Sequence, residues 1–176
     1  MNKNTMYGIV AAVVIVVVVA AVAGAYVLMN PGGGGGGDGG GDGGGADTYV
    51  VTNATSLQFN VDETLSGITT TYNIFANKTV STETMLRFEI AGTPSLVYIL
   101  DGGQHKVWSN ATGTWNEEDF TTQWDYWSPK FEGYVDSLAH WTTGEYTYTA
   151  ADGTSVRIYN IVVNPTLDAS LFKGPT

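Results

Sequence analysis

The chain has 176 residues, with 7 Lys and Arg against 17 Asp and Glu for a net charge of −10, and no cysteine. That acidity excludes a surface built to hold nucleic acid or bare anionic lipid headgroups. The missing cysteine removes disulfides, thiol nucleophiles and thiolate metal sites together.

Residues 1–5 form a short stub whose one charge is Lys3, and Met6 to Met29 carries no charge at all. As a helix this run covers about 36 Å at 1.5 Å per residue, enough to cross a hydrocarbon core of roughly 30 Å. The expectation is a transmembrane signal anchor over 6–29. Ala21-Val22-Ala23 before Gly24 also reads as a small-residue cleavage site. The apolar run continues through Ala25, Tyr26, Val27, Leu28 and Met29, however, beyond the length of a cleaved signal's apolar region, which favours retention. The only charge before the span is Lys3 and the first after it are Asp38, Asp42 and Asp47. The positive-inside bias therefore places the N-terminus in the cytoplasm of a single-pass cell-membrane protein, with the C-terminal domain extracellular.

Residues 30–46 are a linker by composition, PGGGGGGDGGGDGGGA after Asn30. Glycine loses the most freedom on ordering and brings no side chain to bury, so the tract is a leash of roughly 20 Å average span. A GxGxxG match inside it neither follows a strand nor opens a helix, and indicates no nucleotide site.

Residues 47–176 are long enough for one domain with a core. With Lys3, Asp38 and Asp42 set aside, six basic residues face fifteen acidic ones there. Five Trp, six Phe and most of the ten Tyr lie here and supply the packing that disulfides cannot. Period-two alternation predicts strands at Leu57–Val61 and Ile68–Ile74 around a Ser66-Gly67 turn, then at Leu86–Ile90 and Leu96–Leu100 around Gly92-Thr93-Pro94. Asp101-Gly102-Gly103 reads as the strongest turn, with glycines that accept positive φ. It leads to a strand over Gln104–Ser109, and Asn110-Ala111-Thr112-Gly113 turns again toward Trp115.

The period then changes. Asn116 is the predicted N-cap, with Glu117, Glu118 and Asp119 in the first turn and Phe120, Trp124 and Trp127 on one face. Ser128-Pro129 is expected to break the helix and restart it with Phe131, Tyr134, Val135 and Leu138 facing inward, ending at Gly144. Strands over Tyr146–Ala150 and Ser155–Val163 close the domain around Asp152-Gly153. The expected fold is α+β: an antiparallel sheet of about seven strands with a broken helical segment packed on it.

Val97-Tyr98-Ile99-Leu100-Asp101-Gly102-Gly103-Gln104-His105-Lys106-Val107-Trp108 through Trp115, and the ending Ile161-Val162-Val163-Asn164-Pro165-Thr166-Leu167-Asp168-Ala169-Ser170-Leu171-Phe172, carry a family resemblance. In this order of elements the chain resembles the LolA/LolB-type lipoprotein-carrier superfamily and its LppX/LprG-like relatives, over most of residues 56 to 174. The resemblance implies a half-barrel sheet closed by helices, with lipid binding in the apolar gap between them. A permanent anchor departs from a soluble shuttle and favours holding or handing over at the membrane.

An aromatic helix face laid on a sheet makes either a closed core or a cleft. The candidate ligand-binding residues are therefore Phe120, Trp124, Trp127, Phe131, Tyr134 and Leu138 on that face, with Trp108, Trp115 and Trp141 as a pocket rim. Three sequons, at Asn53, Asn77 and Asn110, sit at predicted strand ends or turns, where a glycan fits an outer domain. His105 and His140 have no neighbour at metal-ligand spacing, and no GxSxG elbow is present. Glu117-Glu118-Asp119 with Asp125 could offer oxygens to Ca²⁺, but matches no EF-hand loop and serves as an acidic first turn. No catalytic group, metal or cofactor is expected. The functional expectation is a membrane-anchored binding domain for a lipid or other apolar ligand; the alternative is a structural module of the cell envelope that contacts protein or glycan partners.

Overall fold

The computed structural model describes residues 51–175. The expected stub, membrane helix, glycine linker and the start of the outer domain fall outside them. Among the described residues, no helix is long and apolar enough to cross a membrane.

β1 (Ser56–Leu65) and β2 (Ile68–Asn77) form the expected hairpin. Ser66 and Gly67 both have positive φ, 52° and 79°, the two-residue turn whose twist matches that of the strands. β3 (Met85–Ile90), β4 (Leu96–Asp101), β5 (Lys106–Ser109) and β6 (Asn116–Glu118) extend the meander. The helix α1 (Phe120–Ser137) then crosses one face of the sheet. β7 (Tyr146–Thr149) and β8 (Ser155–Val163) add a hairpin on the other side of β1. Among the described residues every pairing is antiparallel, and the order β6-β5-β4-β3-β2-β1-β8-β7 leaves an open sheet of eight strands with one α-helix.

Four local expectations need correction, the simplest being the helix end, which falls at Ser137 with Leu138 as its cap and not at Gly144. Asn116 does not cap the helix: Asn116–Glu118 pairs with β5 as the extra strand, Ser109 opposite Asn116. The cap is Asp119, whose carboxylate accepts from the Thr122 N–H at 2.9 Å, so the first turn itself holds no acidic residue. The helix is also unbroken at Pro129. The missing N–H frees the carbonyl of Asp125, four residues earlier on an exposed position, where water can satisfy it. Finally, the positive φ in the β4–β5 turn belongs to His105 (53°), while Gly102 answers a different need. A Cβ there would lie 2.8 Å from the Trp124 ring and 2.9 Å from the Thr84 carbonyl oxygen.

The core fills the space between α1 and the inner face. Leu57, Phe59, Val61, Tyr72, Ile74, Leu86, Phe88, Tyr98, Leu100, Val107, Val156 and Ile158 alternate inward and are buried. The β1–β8 register slips between Gln58 and Asn60, and Asn160 takes φ 53°; this bulge returns Ile161 and Val163 to the inner side.

The opposite face carries Gln58, Asn60 and Asp62 on β1 and turns apolar at Phe75, Val97, Ile99 and Trp108. The C-terminal tail crosses it as a strap. Asn164 Oδ1 accepts from the Thr55 N–H at 2.7 Å, and Ser56 Oγ donates to the Pro165 carbonyl at 2.8 Å. Arg87 donates to the Leu171 carbonyl at 3.0 Å, Phe172 is buried, and Gly174 lies against the Trp108 indole.

Candidate functional site

The nine aromatic and aliphatic candidates do not gather in one place. Trp127, Phe131, Tyr134 and Leu138 are buried under the helix. Trp127 packs with ring centroids 4.5 Å from Phe88 and 4.8 Å from Tyr98, and Phe131 stacks at 6.2 Å on Phe59. This middle part of the interface is packed side chain against side chain. Phe120 and Trp124, at the start of the helix, are half-buried and form a row with His105, at 5.0 and 5.3 Å between successive rings.

Trp108 points the other way. It pairs with Ile99 on the outer face and lies under the tail, separated from the helix by the sheet. Trp115 is 39% exposed in the β5–β6 turn. Trp141 follows the helix, half-buried, and its indole N–H donates to the Gly144 carbonyl at 3.0 Å.

Beyond the helix, the inner face continues onto β8 and β7. Val135 and Trp141 from the helical side, with Tyr146, Tyr148, Ile161 and Val163 from the strands, are only partly buried there. This is an apolar surface with a helix along one side and no second helix over it among the described residues.

Sequence reasoning missed the polar group at the edge of this region. Continuing the parity of Leu57, Phe59 and Val61 puts Glu63 on the inner face, and Lys130 falls between Trp127 and Tyr134 on the inward arc of the helix. Lys130 Nζ meets both Glu63 carboxylate oxygens, at 2.7 and 2.8 Å, and the Tyr134 hydroxyl donates to Oε1 at 2.7 Å. The ammonium also lies 4.8 Å from the Tyr72 ring centroid. Burial holds the Lys130 ammonium below its usual pKa, opposed by the Glu63 charge. Burial likewise pushes the hydroxyls of Tyr72, Tyr126 and Tyr134 up, reinforced by the same carboxylate, and Tyr148 is raised to about 12. Tyr126 Oη is buried without a hydrogen-bond partner.

The acidic run has been put to structural use. Glu117 pairs with Lys106 at 3.5 Å, Glu118 accepts from Ser109 Oγ at 2.7 Å, and Asp119 caps the helix. Among the described residues, no three His, Asp or Glu side chains are grouped to hold a metal ion.

The sequons differ in their surroundings. Asn53 is exposed, and Asn77 accepts from the Lys78 N–H at 2.9 Å. Asn110 is engaged at both ends: Oδ1 accepts from the Val97 N–H at 2.6 Å and Nδ2 donates to the Ser95 carbonyl at 3.1 Å. The domain is thus an α+β sheet-and-helix unit with an apolar shelf beside its helix. No protein-family model matches the chain, and no curated protein matches it.

Proposed function

We propose that this protein is a membrane-anchored, extracellular, non-enzymatic binding domain that holds a lipid or other apolar ligand between sheet and helix. The observation that carries this reading is the shelf on β7 and β8, where Val135, Trp141, Tyr146, Tyr148, Ile161 and Val163 stay partly buried after the helix has covered the rest of the inner face. An acyl chain laid along that shelf would complete their burial, worth about 25 cal/mol per Å² of apolar surface removed from water. The LolA/LolB-type carriers are the relationship we propose on the sequence resemblance alone, and their half-barrel closed by helices would place a ligand in such a gap. The uncharged run Met6–Met29 and the glycine tract would hold the domain at the bilayer, where such ligands are found.

A second reading has its own observation. The middle of the interface is packed solid around Trp127, while Ile68 and Trp115 project at turns, which suits an envelope module with protein or glycan partners.

Photoreactive fatty acid, incorporated into membranes carrying the full chain, separates the two. Cross-links mapped to the 135–148 peptides, and reduced several-fold by Val135→Asp, are expected. Cross-links confined to residues 6–29 would favour the partner-binding module.

A further inference from the structure

The strand registers define one end of the sheet. Ser56 pairs with Asn77, Asn77 with Met85, Met85 with Asp101 and Asp101 with Lys106, so these residues form a single row across five strands. The loops projecting from this row are 78–84 and 102–105, joined by Gly102 N–H donating to the Thr84 carbonyl at 2.9 Å. The helix begins beside them, since the Phe120 ring lies 5.0 Å from that of His105. The described chain begins at this same end. There Val51 and Ala54 are buried, and Thr79 bonds the Thr55 carbonyl through its N–H and the Ala54 carbonyl through its hydroxyl.

The apolar content of this end is unusual for a solvated loop cluster. Val80 is 61% exposed at the tip of the 78–84 loop, and the row His105, Phe120, Trp124 runs alongside. Its acidic groups are engaged within the domain: Glu83 with Lys78, Glu117 with Lys106, Asp101 with Gln104, and Asp119 with the helix N-terminus. Aromatic rings with paired charges suit the interfacial layer of a bilayer rather than an anionic headgroup surface.

We infer that this end of the domain rests on the membrane that anchors it, with Val80 and the Phe120–Trp124 pair entering the interfacial layer. The occupant follows from the leash. A glycine tract of about 20 Å average span leads to this end and holds it within reach of the bilayer. Docking would set the inner-face shelf at a fixed height above the lipid. The inference rests on the anchoring part of the proposed function and needs no bound ligand.

The five tryptophans all lie within the described domain, so tryptophan emission reports on that domain alone. The full chain is reconstituted into phosphatidylcholine vesicles, with and without brominated acyl chains, and co-flotation is measured alongside emission. The bromolipid is expected to remove about one tryptophan's share of the emission. Trp124→Phe should abolish that loss and Val80→Asp, a change at an exposed position, should reduce it at least twofold. Trp115→Phe, at the opposite end of the sheet, should leave it unchanged. Flotation without quenching, or quenching lost with Trp115→Phe instead, would overturn the docking while leaving the anchor standing. Chain that does not float would overturn the anchor, and the docking with it.

Discussion

Glu63 and Lys130 show how much depends on two side chains inside an otherwise apolar interface. Their side chains are 17% and 7% exposed, so each charge has given up most of its water for the other. Glu63→Leu leaves the Lys130 ammonium and the Tyr134 hydroxyl without their acceptor and should cost about 3 kcal/mol. Glu63→Leu combined with Lys130→Met removes both charges and should return most of that loss, as read from urea melts followed by tryptophan emission. Tyr126→Phe removes a buried hydroxyl with no partner and should be neutral or stabilising by up to about 1 kcal/mol in the same melts. The tyrosines around the pair also set an alkaline limit. Tyr148 holds its proton to about 12 in the fold, whereas an unfolded tyrosine releases it near 10. Over that window the native state binds more protons than the unfolded one, so the contribution of Tyr148 to stability is complete below pH 10 and is lost as pH rises toward 12. Lys130, with its pKa lowered by burial, works in the opposite direction, but one lysine stands against Tyr72, Tyr126, Tyr134 and Tyr148. The absorbance of tyrosinate from the buried set should therefore rise only together with loss of the fold, above the pH near 10 at which an unfolded tyrosine ionises. A single phase centred near 10 would contradict the buried cluster.

Each turn and helix end carries its own local reason. At Gly102 the Trp124 ring of the helix packs on the turn backbone, and Gly102→Ala forces a methyl toward that ring and the Thr84 carbonyl. The expected cost is about 1–3 kcal/mol, checked by thermal unfolding, with Gly113→Ala limited to its own backbone strain because no atom lies near that site. Strands β1 to β5 were legible in sequence because alternation such as Leu57, Phe59, Val61 against Gln58, Asn60, Asp62 has a single physical meaning on a half-buried sheet. The start of the helix was not. Glu117, Glu118 and Asp119 look like an acidic first turn, but two of them belong to a three-residue strand that only its pairing with β5 defines. Pro129 misled for a related reason: a lost helical hydrogen bond is tolerable where the freed carbonyl faces water, and sequence does not say which side faces water.

For the whole molecule, the same limits decide what could be read of function. The aromatic helix face was visible in sequence, but its division into packed core and open shelf depends on where the helix crosses the sheet. That crossing buries Trp127 and Phe131 while leaving Val135 and Trp141 at the margin. Trp108 could not be assigned to a rim or a core without the tail, which covers it from the far face. Glu63 and Lys130 were hidden because each looks, by itself, like an ordinary surface charge. The proposed ligand shelf is the feature on which the functional account depends. It is tested most directly by placing a protease site in the glycine tract, releasing the outer domain from native membranes and measuring its mass before and after organic extraction. A near-stoichiometric apolar mass that extraction removes is the expected result. A clean apo mass, with no lipid taken up on titration, would contradict ligand holding and leave the partner-binding module in its place.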